Sequence, residues 1–399
     1  MPGAPVLSSR HRHGSIRGDQ TQSPPETKHA WNVRPRALAT SAIDLHHFSC
    51  HTMKAAVLHQ YDSTLNNTDF VAFEEVAEPK VQADTDVIVR IGGAGVCRTD
   101  LHVIEGIWRQ KVHVELPYIM GHENAGWVEE VGKGVSEFKR GDPVICHPLI
   151  SNCHALAARR GQDMHVEGSE FPGINTNGGY AELLRTGESS LIKLPQTLAP
   201  KDVAPHADAG LTAYHVANKA AHHLLPGERV VVIGVGGLGH IGIQVLAALC
   251  SADIIAVDRS DTALSLAKEC GAHYTVSADE HLIEAVLALT NGKGAEAVID
   301  FVGEGNSIDN GLAMTRNNGA YYIVGYGGEI RISALDMITT ERRIIGNLVG
   351  NYSELVELME LANRGRVNLT TNYYKLSDAN KALHDLQHGK VKGRAVLVP

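Results

Sequence analysis

The run Gly95-Val96-Cys97-Arg98-Thr99-Asp100-Leu101-His102 sets a thiol, a hydroxyl, a carboxyl and an imidazole within one short stretch. Downstream lie Gly121-His122-Glu123-Asn124-Ala125-Gly126 and a further acid, Asp208, in Ala207-Asp208-Ala209-Gly210-Leu211-Thr212. A thiolate, an imidazole and a carboxylate are three ligand types that Zn²⁺ accepts, and three protein ligands leave its fourth position open for a reacting oxygen. Singly, each residue has a plainer explanation. A cysteine in an apolar strand is usually a small buried hydrophobe. One histidine among 22 carries little information, and Asp208 could serve as a helix N-cap. Only the constellation points to a metal.

A second motif supplies a partner for that chemistry. Gly234-Val235-Gly236-Gly237-Leu238-Gly239 fits G-x-G-x-x-G, follows the apolar run Arg229-Val230-Val231-Val232-Ile233, and has Asp258 19 residues beyond Gly239. Glycines alone also mark ordinary turns, but strand, turn, helix and distal acid together form a dinucleotide fingerprint. Gly234 would allow the turn, Gly236 the approach of a pyrophosphate to the helix N-terminus, and Gly239 close helix-to-strand packing. Asp258 would accept from the ribose 2′-OH and repel a 2′-phosphate, which favours NAD over NADP. Arg259 beside it pulls the other way, since a guanidinium can hold that phosphate.

Two textures in the chain would position these motifs. From residue 53 to about 205, short alternating segments such as Val87–Ile91, Gly126–Val131 and Asp142–Cys146 are separated by Gly, Pro and Asp turns, which predicts a compact, barrel-like β unit. From about 225 the pattern alternates apolar strands (229–233, 252–258, 297–302, 320–324) with helices (240–249, 261–270), which predicts a doubly wound parallel sheet. Helices at 352–363 and 377–387 and a last strand at 393–398 complete the chain. At 399 residues, two to three domains are expected.

Net charge is −9, and the first 52 residues hold six basic against three acidic groups, so the remainder carries −12. An acidic body of this kind argues against nucleic acid or an anionic membrane as partner. No stretch approaches the roughly 20 apolar residues of a membrane helix. Six scattered cysteines give no dense disulfide framework and favour a reducing cytoplasm. Residues 1–52, rich in Arg, His, Ser and Pro without apolar periodicity, are expected to be disordered. They match a transit peptide only in part. Met53-Lys54-Ala55-Ala56-Val57-Leu58 reads as the first strand of a domain, so the preceding segment reads as an upstream start.

With these motifs in place, residues 53–399 resemble, end to end, the zinc-dependent alcohol dehydrogenases of the medium-chain dehydrogenase/reductase family; the Gly-His-Glu run is the mark of its zinc-using branch. The resemblance implies an α/β protein with a GroES-like β-rich catalytic domain (53–205 and 349–399) and a Rossmann NAD-binding domain (206–348). It implies Cys97, His122 and Asp208 as zinc ligands, with Glu123 an acid able to approach the metal. Many members have Cys where this chain has Asp208. The acid resembles a subset of bacterial enzymes and leaves the count of two anionic ligands and one imidazole unchanged. Zinc lowers the pKa of bound water from about 15.7 to about 7, and a bound alcohol would be acidified in the same way, its carbon then giving hydride to the nicotinamide. The resemblance further implies a proton relay from Thr99 through the nicotinamide ribose to His102 at the solvent end, the two side chains one helical turn apart. Asp100 would orient the His122 ring, Arg98 and Arg394 would hold cofactor phosphates, and Thr212 would pack on the nicotinamide.

Many relatives also carry a lobe of four cysteines for a structural zinc. At the aligned positions this chain has Asn152, Ala155, Ala158 and Val166, and Cys153, His154 and His165 match no spacing that would replace them. One zinc per chain is expected. Trp108, Met120 and Leu149, close to the zinc motifs, are candidate linings of an apolar cleft suited to aliphatic or aromatic primary and secondary alcohols. A polyol dehydrogenase of the same family, or a zinc-free cofactor-binding relative, are the alternatives. The family also implies a homo-oligomer, dimer or tetramer.

Overall fold

The computed structural model describes residues 51–112 and 114–399; the expectations for residues 1–50 lie outside that range. Three sheets organise it. A three-stranded sheet joins Ala72–Ala77, Thr52–Leu58 and Tyr118–Ile119. A seven-stranded sheet runs in the order Thr371–Lys375, Arg394–Val398, Asp86–Val96, Glu123–Val131, Pro143–Cys146, Leu191–Lys193, with Leu183–Gly187 also pairing with Asp86–Val96. The third is a six-stranded parallel sheet ordered Tyr274–Ser277, Asp253–Asp258, Arg229–Ile233, Ala295–Asp300, Thr315–Ile323, Arg343–Gly346. Its strand order reverses between Arg229–Ile233 and Ala295–Asp300, and a crevice opens beyond the carboxyl ends of strands at such a switch point.

The apolar strands are explained by burial on both faces. Val230, Val232, Ile254 and Ala256 belong to one core, whereas Val231, Ile233, Ile255 and Val257 face a second core on the other side of the sheet. A parallel sheet covered by helices on both faces requires such uninterrupted apolar sequence. A further core fills the β-rich part, around Val89, Val128, Tyr180 and Leu397. Where the sequence predicts a strand to Val302, the strand ends at Asp300, because the Asp300 carboxylate accepts from the backbone N–H groups of Val302 (2.8 Å) and Gly303 (3.0 Å) and turns the chain there. Among the described residues no helix is long and apolar enough to cross a membrane, and the five described cysteines are all unpaired.

The long strand Asp86–Val96 does most to place the chemistry. Antiparallel register sets Gly95 opposite Glu123 and Val96 opposite Ala395. Cys97, the next residue, therefore emerges between the segment His122-Glu123 on one side and Arg394 on the other. Gly95 has no Cβ for a reason: one built there would lie 1.9 Å from a Glu123 carboxylate oxygen and 2.9 Å from its Cβ. Glu123 is fully buried and ion-paired to Arg394, so it has nowhere to move. Gly95→Ala is expected to destabilise the fold by about 1–3 kcal/mol, the usual cost of overpacking, read as a lowered midpoint in denaturant unfolding. An unchanged midpoint would show that Glu123 can relocate freely.

Candidate active site

The chain leaves its long strand at Cys97, which is the N-cap of the helix Arg98–Ile104. Asp100, in the first turn of that helix, accepts from the Cys97 backbone N–H at 2.8 Å, which anchors the turn and fixes the sulfur's approach. Gly121, with φ +96°, reverses the chain just before His122 and packs against the Tyr180 ring, which a Cβ would meet at 2.3 Å. Asp208 sits between the short helical turn Ala204–Ala207 and the helix Ala209–Ala221. It occupies the N-cap position of the latter, yet its side chain makes no capping bond to the helix. Instead its carboxylate lies 3.3 Å from His122 Nε2 and accepts from the Thr212 hydroxyl at 3.4 Å.

These local turns bring one potential ligand atom each from Cys97, His122, Glu123 and Asp208 within 4.8 Å of one another. All four residues are buried or nearly so, with Asp208 the most open at 9% exposed. His122 Nδ1 faces the Asp100 carboxylate at 3.2 Å, and neither ring nitrogen completes a hydrogen bond within the protein. Burial would depress the pKa of this ring, but the Asp100 carboxylate, with Asp208 and Cys97, raises it well above the ordinary imidazole value. Such a cluster of acidic groups around one ring calls for a positive charge, and the donor set of sulfur, nitrogen and oxygen suits a zinc ion.

Asp100 is itself held. Tyr180, fully buried, donates its hydroxyl to the second Asp100 oxygen at 2.8 Å. One carboxylate thus receives the Cys97 N–H and the Tyr180 O–H while it faces His122, so the His122 ring is oriented through two further layers of structure. On the far side, Glu123 accepts from the Ala209 N–H at 3.3 Å and pairs with the buried Arg394 guanidinium. Burial pushes the Glu123 carboxyl up, against the pull of Arg394. Arg394 also lies directly beneath the glycine turn, where a Cβ on Gly237 would meet its guanidinium at 2.5 Å.

At that turn Gly234 has φ +86°, and a Cβ on Gly239 would lie 1.8 Å from the Gly234 carbonyl oxygen, so the helix Gly239–Leu249 abuts the end of its strand. A Cβ on Gly236, by contrast, would meet nothing within 4 Å. Leu238 lines the cleft. Asp258 ends its strand and accepts from the Val235 N–H at 2.7 Å and the Ser260 N–H at 2.9 Å, which braces the turn; Arg259 is exposed.

Between the glycine turn and the ligand cluster runs a cleft of about 420 Å³, lined by Cys97, His122 and Asp208 at its floor and by Thr99, His102, Trp108 and Thr212 along its wall. Arg98 lies at its rim, 3.9 Å from Glu304. Two expected lining residues are elsewhere. Met120 is fully buried in the β-rich core, because the left-handed turn at Gly121 sends it away from the side His122 takes. Leu149 is also buried, and its carbonyl accepts from Ser190 at 2.8 Å; neither borders the cleft. The apolar lining comes instead from Ile107, Phe171, Ile174, Val302, Leu348 and Val349, which belong to loops without periodicity. His102 is only 6% exposed, covered by the ring of Tyr326 at 4.7 Å, rather than open to solvent. Its pKa is pulled down to about 4 by burial and by Arg98, so the ring is neutral at pH 7. Tyr326, unmarked by any sequence motif, reaches in from the loop after the strand Thr315–Ile323.

The chain's relatives fit this geometry. Residues 83–196 match the alcohol dehydrogenase GroES-like domain, and residues 237–364 match a family described as zinc-binding dehydrogenase. The chain is 36% identical over 352 residues to an NAD-dependent alcohol dehydrogenase of Sulfolobus acidocaldarius, covering 86% of this chain and 99% of that protein. It is 33% identical over 350 residues to the D-arabinose 1-dehydrogenase (NADP(+)) of Saccharolobus solfataricus, covering 87% and 97%. Its fold matches the crystal structure of the alcohol dehydrogenase from the hyperthermophilic archaeon Aeropyrum pernix with a TM-score of 0.83 and 44% identity, over 87% of this chain and all of that one.

Removing the Tyr180 hydroxyl would release Asp100 without touching a ligand. Tyr180→Phe is expected to weaken metal binding by about 10- to 100-fold, measured by competition with a chromogenic chelator. Unchanged metal affinity would show that Asp100 holds His122 without help.

Proposed function

Since the chain belongs to the zinc-dependent alcohol dehydrogenases of the medium-chain family, we propose that it oxidises primary or secondary alcohols reversibly to aldehydes or ketones with NAD as hydride acceptor. The observation that carries this is the buried set Cys97, His122, Asp208 and Glu123 at the floor of a largely apolar cleft that also reaches the glycine turn. Cys97, His122 and Asp208 would hold one zinc per chain. When bound there, zinc supplies Lewis acidity that makes an alcohol hydroxyl acidic at neutral pH.

The protein's own groups do the rest. Asp100, braced by Tyr180, holds His122 Nδ1 so that Nε2 points to the metal position. Glu123 pairs with Arg394, which opposes the upward push of burial on its carboxyl, and a Glu123 ligand atom stands within 4.8 Å of those of Cys97, His122 and Asp208. Thr99 presents a hydroxyl to the reacting oxygen, and the neutral His102 beside it in the cleft can accept a proton. Thr212 packs where the nicotinamide would lie. Arg394, against Gly237, and Arg98, at the cleft rim beside Glu304, would be the cations for the cofactor phosphates. The apolar wall favours aliphatic or aromatic alcohols over polyols. The positions of the four missing lobe cysteines support a single metal, and a homo-oligomer remains the expectation from the family.

Two experiments test this reading. With alcohols such as 1-phenylethanol and cyclohexanol assayed by NADH absorbance beside sorbitol and arabinose, the apolar alcohols should be preferred. Cys97→Ser should bring turnover to background and lower bound zinc from about one per chain on ligand counting, while NADH still binds. Turnover unaffected by Cys97→Ser would defeat the zinc mechanism.

The glycine turn has its own test. The space around Gly236 is open, so Gly236→Ala should leave stability within about 0.5 kcal/mol, as surface substitutions do. A pyrophosphate at the helix N-terminus would nevertheless meet the added methyl. NADH affinity should therefore fall at least about tenfold, or about 1.4 kcal/mol, with kcat/KM still higher for NAD than for NADP because of Asp258. An alanine variant that binds NADH like the parent would leave these glycines as a structural turn only.

A further inference from the structure

Tyr326 belongs to neither the metal cluster nor the glycine motif, yet it connects the parallel sheet to the reacting side of the cleft. It lies in Gly325-Tyr326-Gly327-Gly328, just past the end of the strand Thr315–Ile323. The turn is pinned from behind: a Cβ on Gly325 would lie 2.3 Å from the Val302 backbone, and Gly327 has φ +145°. From this base the phenol crosses to the helix that Cys97 caps. Its oxygen accepts from the Trp108 indole N–H at 3.0 Å, and its own O–H donates to Thr99 Oγ1 at 3.2 Å. The ring packs on His102 at 4.7 Å and meets Trp108 edge-on at 6.0 Å.

We propose that Trp108, Tyr326 and Thr99 form a one-way hydrogen-bond chain that makes Thr99 a proton donor toward the reacting oxygen. An indole N–H can only donate. A phenol that accepts from it directs its own proton onward, to Thr99. The Thr99 oxygen, with one lone pair taken by the Tyr326 O–H, directs its own single proton into the cleft that Cys97 and His122 line. Each bond in such a chain polarises the next, strengthening it by roughly 10–30%. When the alcohol hydroxyl gives up its proton, to solvent or to the neutral His102, the negative charge left on its oxygen thus meets a donor already aimed at it, with no reorientation needed. Tyr326 and Trp108 are positioning residues in this scheme, and Thr99 is the group that touches substrate. The scheme rests on the alcohol dehydrogenase reading of the site.

Tyr326→Phe keeps the ring on His102 and removes only the hydroxyl. In the zinc-loaded, full-length enzyme with NAD, kcat for alcohol oxidation should fall about tenfold, the loss of about one hydrogen bond. KM for the alcohol and Kd for NADH should stay within about twofold, since the bond acts as charge develops rather than on ground-state binding. Trp108→Phe should lower kcat in the same direction by less. The double variant should be no slower than Tyr326→Phe alone, because the chain is already cut. A kcat unchanged in Tyr326→Phe, or losses that multiply in the double variant, would overturn the proposal. A readout independent of turnover separates it from the functional reading. In protein labelled with ¹⁵N-tryptophan, the Trp108 indole N–H resonance should shift in Tyr326→Phe, and an unmoved resonance would mean the chain does not exist in solution. A parent enzyme inactive on every alcohol would refute the function, while the indole resonance would still decide the hydrogen-bond chain.

Discussion

Burial of several acidic groups around one imidazole is the constraint on which the rest of the structure depends. Cys97, Asp208, Glu123 and Asp100 all converge on His122 inside the protein. Taking charges out of water costs several kcal/mol per ion unless they are matched. Two matches are built into the chain. Arg394 neutralises Glu123, and the Cys97 N–H and Tyr180 O–H solvate Asp100. What is left over, a thiol, a ring nitrogen and the Asp208 carboxylate, is a donor set that a cation could match. Shape and charge therefore agree on the same candidate site, where Arg394 and the Asp100 donors leave the unmatched groups close together.

Arg394 extends that constraint to the second half of the site. It begins the strand Arg394–Val398, pairs with Glu123 on one side and lies against Gly237 on the other. A side chain at residue 237 would displace the guanidinium, and displaced guanidinium would leave Glu123 buried and unpaired. The glycine at that position is thus needed by the acid beside the metal site as much as by any cofactor. In the same way Gly95 is needed by Glu123 and Gly121 by Tyr180. Each of these glycines keeps a charged or hydrogen-bonding group in a place where a methyl would not let it stand.

Much of this was legible in the sequence because it depends on spacing. The helix turn from Thr99 to His102, the strand-turn-helix at Gly234–Gly239 and the two-sided apolar strands all follow from local periodicity, and the structure shows them. The pairing of Glu123 with Arg394 is different in kind. It joins residues 271 apart through sheet register, and no local pattern encodes that. Of the three residues expected as apolar lining, only Trp108 borders the cleft. Met120 and Leu149 were chosen by proximity in sequence to the ligands, and proximity fails wherever a left-handed turn or a strand's alternation sends neighbours to opposite sides. Tyr326 was illegible for the complementary reason: it arrives from a different sheet, and its neighbours in sequence are glycines that signal a turn but not where the turn points.

The lobe that carries Asn152, Ala155, Ala158 and Val166 is tied to the rest of the chain by hydrogen bonds. Asn351, N-cap of the helix Tyr352–Asn363, accepts from the Glu354 N–H and also donates to the Gly161 carbonyl at 3.1 Å. Asp163 accepts from the Tyr352 N–H at 3.0 Å. Lobe and helix N-terminus thus satisfy each other's free backbone groups, which a first helical turn must otherwise leave to water. The link continues inward. Glu354, the capping-box acid, accepts from the backbone N–H of Asn351 at 2.9 Å and pairs with His215 at 2.8 Å. His215 lies on the helix Ala209–Ala221, whose N-cap is Asp208. A continuous path of hydrogen bonds and one short helix therefore runs from the lobe to a residue at the floor of the site.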